Sequence, residues 1–129
     1  MKIFKTIALL TLILFFGGSM AYAGAEYSGY STTVGKINGS GYTTYEVKAK
    51  SGANGNLLSY YVGGDYTVDA RMQESDGTAG AWTRNIDDDN FYELDGHVNH
   101  MSGDLVRVHF SNDWTTLVSV QVEGYWRSN

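Results

Sequence analysis

The sequence predicts an all-β fold: a small antiparallel β-sandwich, with a small β-barrel as the alternative. Three observations carry this expectation. Apolar and polar residues alternate with period two through "DYTVDARMQ", "LVRVHF" and "LVSVQVEGYW", the pattern of strands with one buried face. Turn-forming clusters interrupt the chain at short intervals: "SGANGN" at 51–56, "GG" at 63–64, "SDG" at 75–77, "DG" at 95–96, "SGD" at 102–104 and "SND" at 111–113. Glycine supplies positive φ there, and Asn and Asp bond their own backbone. Helical periodicity is nearly absent after residue 23.

Residues 1–23 read as a secretory signal peptide. Lys2 and Lys5 precede an apolar run from Ile7 to Phe16, and "AYA" at 21–23 offers small residues for cleavage. The run is short for a membrane span, which needs roughly 20 apolar residues. Residues 24–41, "GAEYSGYSTTVGKINGSG", are rich in Gly, Ser, Thr and Tyr. This composition predicts a loose arm or a first edge strand, with strand addition to a partner's sheet as a further reading. Residues 42–129 are expected to form the antiparallel β domain.

Within that domain, "YTTYEVKAK" alternates with Thr43, Tyr45, Val47 and Ala49 on one side. Weaker strands are expected at 43–50, 57–62, 81–85 and 91–94. The "DYTVDARMQ" strand places Tyr66, Val68, Ala70 and Met72 inward. "LVRVHF" places Val106, Val108 and Phe110 inward, with Arg107 and His109 outward. "LVSVQVEGYW" places Val118, Val120, Val122 and Trp126 inward, with Ser119, Gln121, Glu123 and Tyr125 outward. Trp82 completes the expected core.

Removing residues 1–23 takes away two of nine Lys+Arg and none of fourteen Asp+Glu, leaving 106 residues with a formal charge of −7. Such a surface repels phosphate backbones, which argues against nucleic acid as a partner. It also argues against adsorption to anionic lipid, and membrane insertion is not expected. Cysteine and proline are both absent. The domain must therefore hold by burial without disulfides. The expected destination is outside the cell, as a released protein without a lipid or wall anchor.

The stretch "RNIDDDNFYELDGHVNH", Arg84 to His100, concentrates acids, amides and two histidines. Asp87, Asp88, Asp89, Asn90, Glu93 and Asp95 offer oxygen ligands for calcium, but the glycine an EF-hand loop needs after "DDDN" is missing. A plain acidic turn is the expectation, with an irregular calcium loop left open. His97 and His100 lie three apart, a spacing that faces opposite ways in a strand. They are expected to be exposed polar residues, and His109 could complete a zinc triad only through tertiary contact. No metal, cofactor or catalytic residue is therefore assigned. The chain after residue 23 has no Cys nucleophile and no G-x-S-x-G elbow.

Aromatic residues are the better lead. Three Trp, nine Tyr and two Phe follow residue 23, and they cannot all point inward. Trp114, in "SNDWTT", sits at an expected hairpin tip. Trp114, Tyr60, Tyr92 and Tyr125 are therefore the candidate binding residues, because exposed aromatics stack on sugars or anchor protein interfaces.

The segment "VRVHFSNDWTTLVSVQVEGYWRSN", from Val106 to Asn129, with "VDARMQESDGTAGAWTRN" before it, resembles the closing part of small secreted, cysteine-free β-rich proteins of Bacillus-type Firmicutes. Some of these are described as bacteriocin-like. The resemblance covers about half of the chain after residue 23, and the final "RSN" lacks the acidic tail of some of them. It implies a bacterial secreted β domain and carries over no site residue. The expected function is a secreted, non-catalytic β-sandwich that binds an extracellular protein or a cell-wall glycan. The alternative is a bacteriocin-like antibacterial effector.

Overall fold

The computed structural model describes residues 22–129. The expected signal peptide lies outside the described residues except for its last two. The described chain is all-β and forms two sheets that face each other without closing into a barrel. Its strands are β1 (Tyr22–Ala23), β2 (Ser28–Val34), β3 (Ser40–Tyr42), β4 (Glu46–Val47), β5 (Gly55–Val62), β6 (Val68–Glu74), β7 (Thr83–Ile86), β8 (Asn90–Leu94), β9 (Leu105–Ser111) and β10 (Val120–Arg127). One sheet runs β1-β4-β9-β6-β7, with β3 also paired to β9; the other runs β2-β10-β5-β8. Pairing is antiparallel throughout, apart from the two-residue β1–β4 contact.

The two strands with the cleanest alternation take central places. β9 lies between β6 and the β3–β4 edge, and β10 lies between β2 and β5. Val106, Val108 and Phe110 of β9 face Val120, Val122 and Trp126 of β10 across a core that also holds Leu57, Val62, Val68, Met72, Ile86 and Leu94. Tyr30 and Phe110 bring their rings to 5.2 Å between the sheets. Period-two burial on both inner faces is what holds such a sandwich together.

Several expected inward residues lie elsewhere. Tyr66 is exposed, because the "GG" turn delays the strand until Val68. Val118 is exposed for the same kind of reason, since β10 begins at Val120. Trp82 is half-buried, and its ring contacts Arg71 and His109 rather than the core.

The expected strand over 43–50 is reduced to β4, Glu46–Val47, and β3 lies before that range at Ser40–Tyr42. Tyr42 pairs with His109, yet Glu46 pairs with Val106, so one extra residue is inserted opposite β9. Thr43 repairs the ladder there. Its backbone N–H donates to Val108 O at 3.1 Å, and its Oγ1 accepts from Val108 N at 2.9 Å. An inserted residue reverses which side chains point inward. Glu46 and Lys48 are therefore buried, while Tyr45 and Val47 are only half-buried, the opposite of the alternation read from the sequence.

The buried pair closes one end of the sandwich. Ser28 Oγ donates to Glu46 Oε2 at 2.6 Å, and Ser128 N donates to Oε1 at 2.9 Å. Lys48 Nζ donates to the carbonyls of Ala53, Ser128 and Asn129 at 2.5, 2.6 and 3.1 Å. Burial pushes the Glu46 acid up to about 8 and the Lys48 ammonium down to about 8; each opposes part of the other's shift by its charge.

Gly124 in β10 leaves no room for a side chain. A Cβ there would collide with Leu58 O and come within 2.7 Å of the Tyr30 hydroxyl. The bulge between Glu123 and Gly124 sits at the same point.

Candidate functional site

The outer face of the six-stranded sheet carries a cluster absent from the sequence-level candidates. Period two places Asp69, Arg71 and Gln73 of β6 outward, and Arg107 and His109 of β9 beside them. Arg71 pairs with His109, and Gln73 with Arg107. Tyr42 of β3 pairs with His109 from the other side. Trp82, just before β7, completes the row.

The contacts alternate guanidinium and ring. The Arg71 guanidinium lies 4.4 Å from the Trp82 ring centroid, and Arg84 lies 5.8 Å from the same ring. The Arg107 guanidinium lies 3.8 Å from Tyr42 and 5.0 Å from Tyr45. His109 stacks on Tyr42 at 4.8 Å and meets Trp82 at 5.1 Å, tilted. Cation–π contact of this kind holds a flexible arginine in one orientation.

His109 is only 8% exposed, although its strand position faces outward. The expectation that it is exposed fails because Tyr42 and Trp82 cover it. Arg71 Nε donates to Nδ1 at 3.2 Å, which requires Nδ1 to be unprotonated. Nε2 then carries the proton and donates to Ser40 Oγ at 2.9 Å. Burial, then the charges of Arg71 and Arg107, push His109 down to about 4. A neutral imidazole is what lets two arginines share this face.

The pH consequence has a definite sign. Between pH 6.5, the ordinary histidine value, and about 4, the unfolded chain binds a proton at His109 that the folded chain refuses. Stability therefore falls as pH drops through this window and levels off below it. Denaturant midpoints measured from pH 7 to pH 4 should show a smaller drop in His109→Gln than in the wild type.

Arg84 has a carboxylate partner, Asp69 Oδ2 at 2.6 Å, and Asp69 also accepts from Asn85 N at 3.1 Å. Among the described residues neither Arg71 nor Arg107 forms an ion pair. Arg107 donates instead through Nε and Nη2 to Gln73 Oε1, both at 3.2 Å.

The four aromatic candidates do not converge. Trp114 is 71% exposed on the β9–β10 connection. Leu117 and Val118 are also exposed there, Ile37 is exposed on the β2–β3 turn, and two backbone bonds, Ile37 N to Thr116 O and Asn38 N to Asp113 O, tie the two segments together. Tyr60 is half-buried on β5. Tyr92 packs against the core, and its hydroxyl accepts from Asp87 N at 2.9 Å. Tyr125 is only 4% exposed, so it offers little binding surface: its ring lies over Gly29, where a Cβ would meet it at 3.5 Å.

Of the acidic stretch, Asp87, Asp88 and Asp89 form the β7–β8 turn, Asn90 and Glu93 lie on β8, and Asp95 follows it. Asp87 Oδ1 accepts from Asp88 N at 2.8 Å, and Asp89 takes a positive φ of 56°. Hydrogen bonding from Asp88 holds the Asp87 acid below its ordinary value. His97 and His100 bring their rings to 5.4 Å, while His109 lies apart in the arginine cluster. His100 is fully buried, against expectation, and its Nε2 donates to Thr78 O at 2.9 Å. Among the described residues no three His, Asp or Glu side chains are arranged to hold a metal ion.

No protein-family model matches the chain, and no curated protein is detectably similar to it.

Proposed function

We propose that this chain is a secreted, non-catalytic β-sandwich that binds a protein or glycan partner at the cell exterior, through the outer face of its six-stranded sheet. One observation carries the reading: Arg71 and Arg107 are held against aromatic rings on an otherwise acidic chain, with no carboxylate partner among the described residues. Arginine, tyrosine and tryptophan are the residues that dominate binding energy at interfaces. Here they are fixed in place before any partner arrives, which lowers the entropy cost of association.

The test is retention of purified, labelled protein on intact bacterial cells and on isolated wall sacculi. Wild type is expected to be retained. The Arg71→Gln/Arg107→Gln double variant should lose at least about ten-fold in affinity, about 1.4 kcal/mol, less than a single hot-spot residue contributes. Trp114→Ala serves as the comparison at the other surface. Equal retention of wild type and double variant, with unchanged melting, would remove this face from the function.

A further inference from the structure

Arg71 and Arg107 are diagonal neighbours on paired strands, since Arg71 faces His109 and Gln73 faces Arg107. That relation separates side-chain origins by about 7–8 Å. Alternate side chains of an extended chain repeat at roughly 6.4–6.8 Å. The two spacings match closely.

The chemistry left over on this face is donor chemistry. A guanidinium has five N–H donors. Arg71 uses Nε on His109, and Arg107 uses Nε and Nη2 on Gln73. The remaining N–H groups suit bidentate capture of an acid. The ring faces, by contrast, are already engaged: Trp82 by Arg71 and Arg84, Tyr42 by Arg107 and His109. A neutral sugar needs a bare ring face on which to stack. The one carboxylate on this part of β6, Asp69, is paired with Arg84 and does not compete.

We propose that this face seats an extended acidic segment of a partner protein, with two carboxylates at alternate positions, one on Arg71 and one on Arg107. The inference rests on the preceding reading that this face is the binding surface, and it specifies the partner.

Fluorescence anisotropy with short labelled peptides tests it at about physiological salt, where long-range attraction is screened beyond roughly 8 Å. The probes are a peptide with glutamates at alternate positions, an isomer of equal charge with the glutamates adjacent, and an all-glutamine control. The alternate peptide should bind at least five-fold more tightly than its isomer, and the glutamine peptide should not bind. Arg71→Gln and Arg107→Gln should each weaken binding ten-fold or more, and Arg107→Lys should only partly restore it. Arg127→Gln, on β10 of the other sheet with its guanidinium over Tyr27, should leave it unchanged. Equal binding of the two isomers, or an equal loss in Arg127→Gln, would reduce the effect to net charge and overturn the proposal. Polygalacturonate displacing the peptide through the same arginines at lower carboxylate concentration would overturn it in favour of an acidic glycan. If no peptide binds while the double variant still detaches from cells, the face stands and the acidic segment falls. If neither effect appears, both fall.

Discussion

Lys48→Met is expected to lower folding stability by about 3–5 kcal/mol, the cost of removing one partner from a buried charged network. Met fills a similar volume, so the loss reports on the ammonium rather than on a cavity. The carbonyls of Ala53 and Ser128 would lose this donor, Ser128 O in a buried position, while Asn129 O keeps the backbone N–H groups of Ala49 and Lys50. A buried unpaired acceptor costs about 1–3 kcal/mol. Glu46 would also lose the nearby cation that opposes the effect of its burial. Urea unfolding should show a lower midpoint with an unchanged slope. The exposed Lys50→Met should shift it by less than about 0.5 kcal/mol. A Lys48→Met midpoint indistinguishable from wild type would mean that this end of the sandwich is held by packing alone.

Trp126→Ala should be comparably damaging, at about 3–5 kcal/mol. Trp126 heads the fully buried side chains by volume, and it sits on β10, one of the two inner strands of its sheet. Its removal leaves a cavity in the core beside Leu57, its register partner on β5, which cannot fill it without leaving its own place. Domains of this size are stable by only about 5–15 kcal/mol, so the variant should be partly unfolded at 37 °C. Trp126→Phe distinguishes volume from hydrogen bonding. No described protein group accepts from Nε1, so Phe should recover most of the loss. A Phe variant as unstable as the Ala variant would show that the indole shape itself is required.

The sandwich is legible because the apolar residues of β6, β9 and β10 recur at every second position, and that pattern needs no knowledge of partners. The inward placement of Val106, Val108, Phe110, Val120, Val122 and Trp126 follows directly. The faces of the 43–47 region are not legible in the sequence, because one inserted residue, visible only against β9, reverses them. The arginine face was not legible for a related reason. Tyr42, Arg71, Trp82 and Arg107 are far apart in sequence and meet only through the β3–β9 and β6–β9 pairings. A usable hint was present nonetheless. "DARMQ" and "VRVHF" each place an arginine outward in an acidic chain, and opposite-facing positions on two regular strands can be checked for pairing. Tyr125 shows the limit of alternation: it predicts which way a residue points, not whether a neighbour such as Gly29 leaves room for the ring to lie flat and covered.

The central position of β10 has a consequence for biogenesis. Its edges zip to β2 and β5, partners almost a hundred and about seventy residues earlier in the chain by the Trp126↔Ser28 and Arg127↔Asn56 registers. That sheet cannot assemble while a ribosome still holds residues 120–127, and the loop closures involved predict folding in milliseconds to seconds rather than microseconds. Until β10 emerges, β2 has no partner in its sheet.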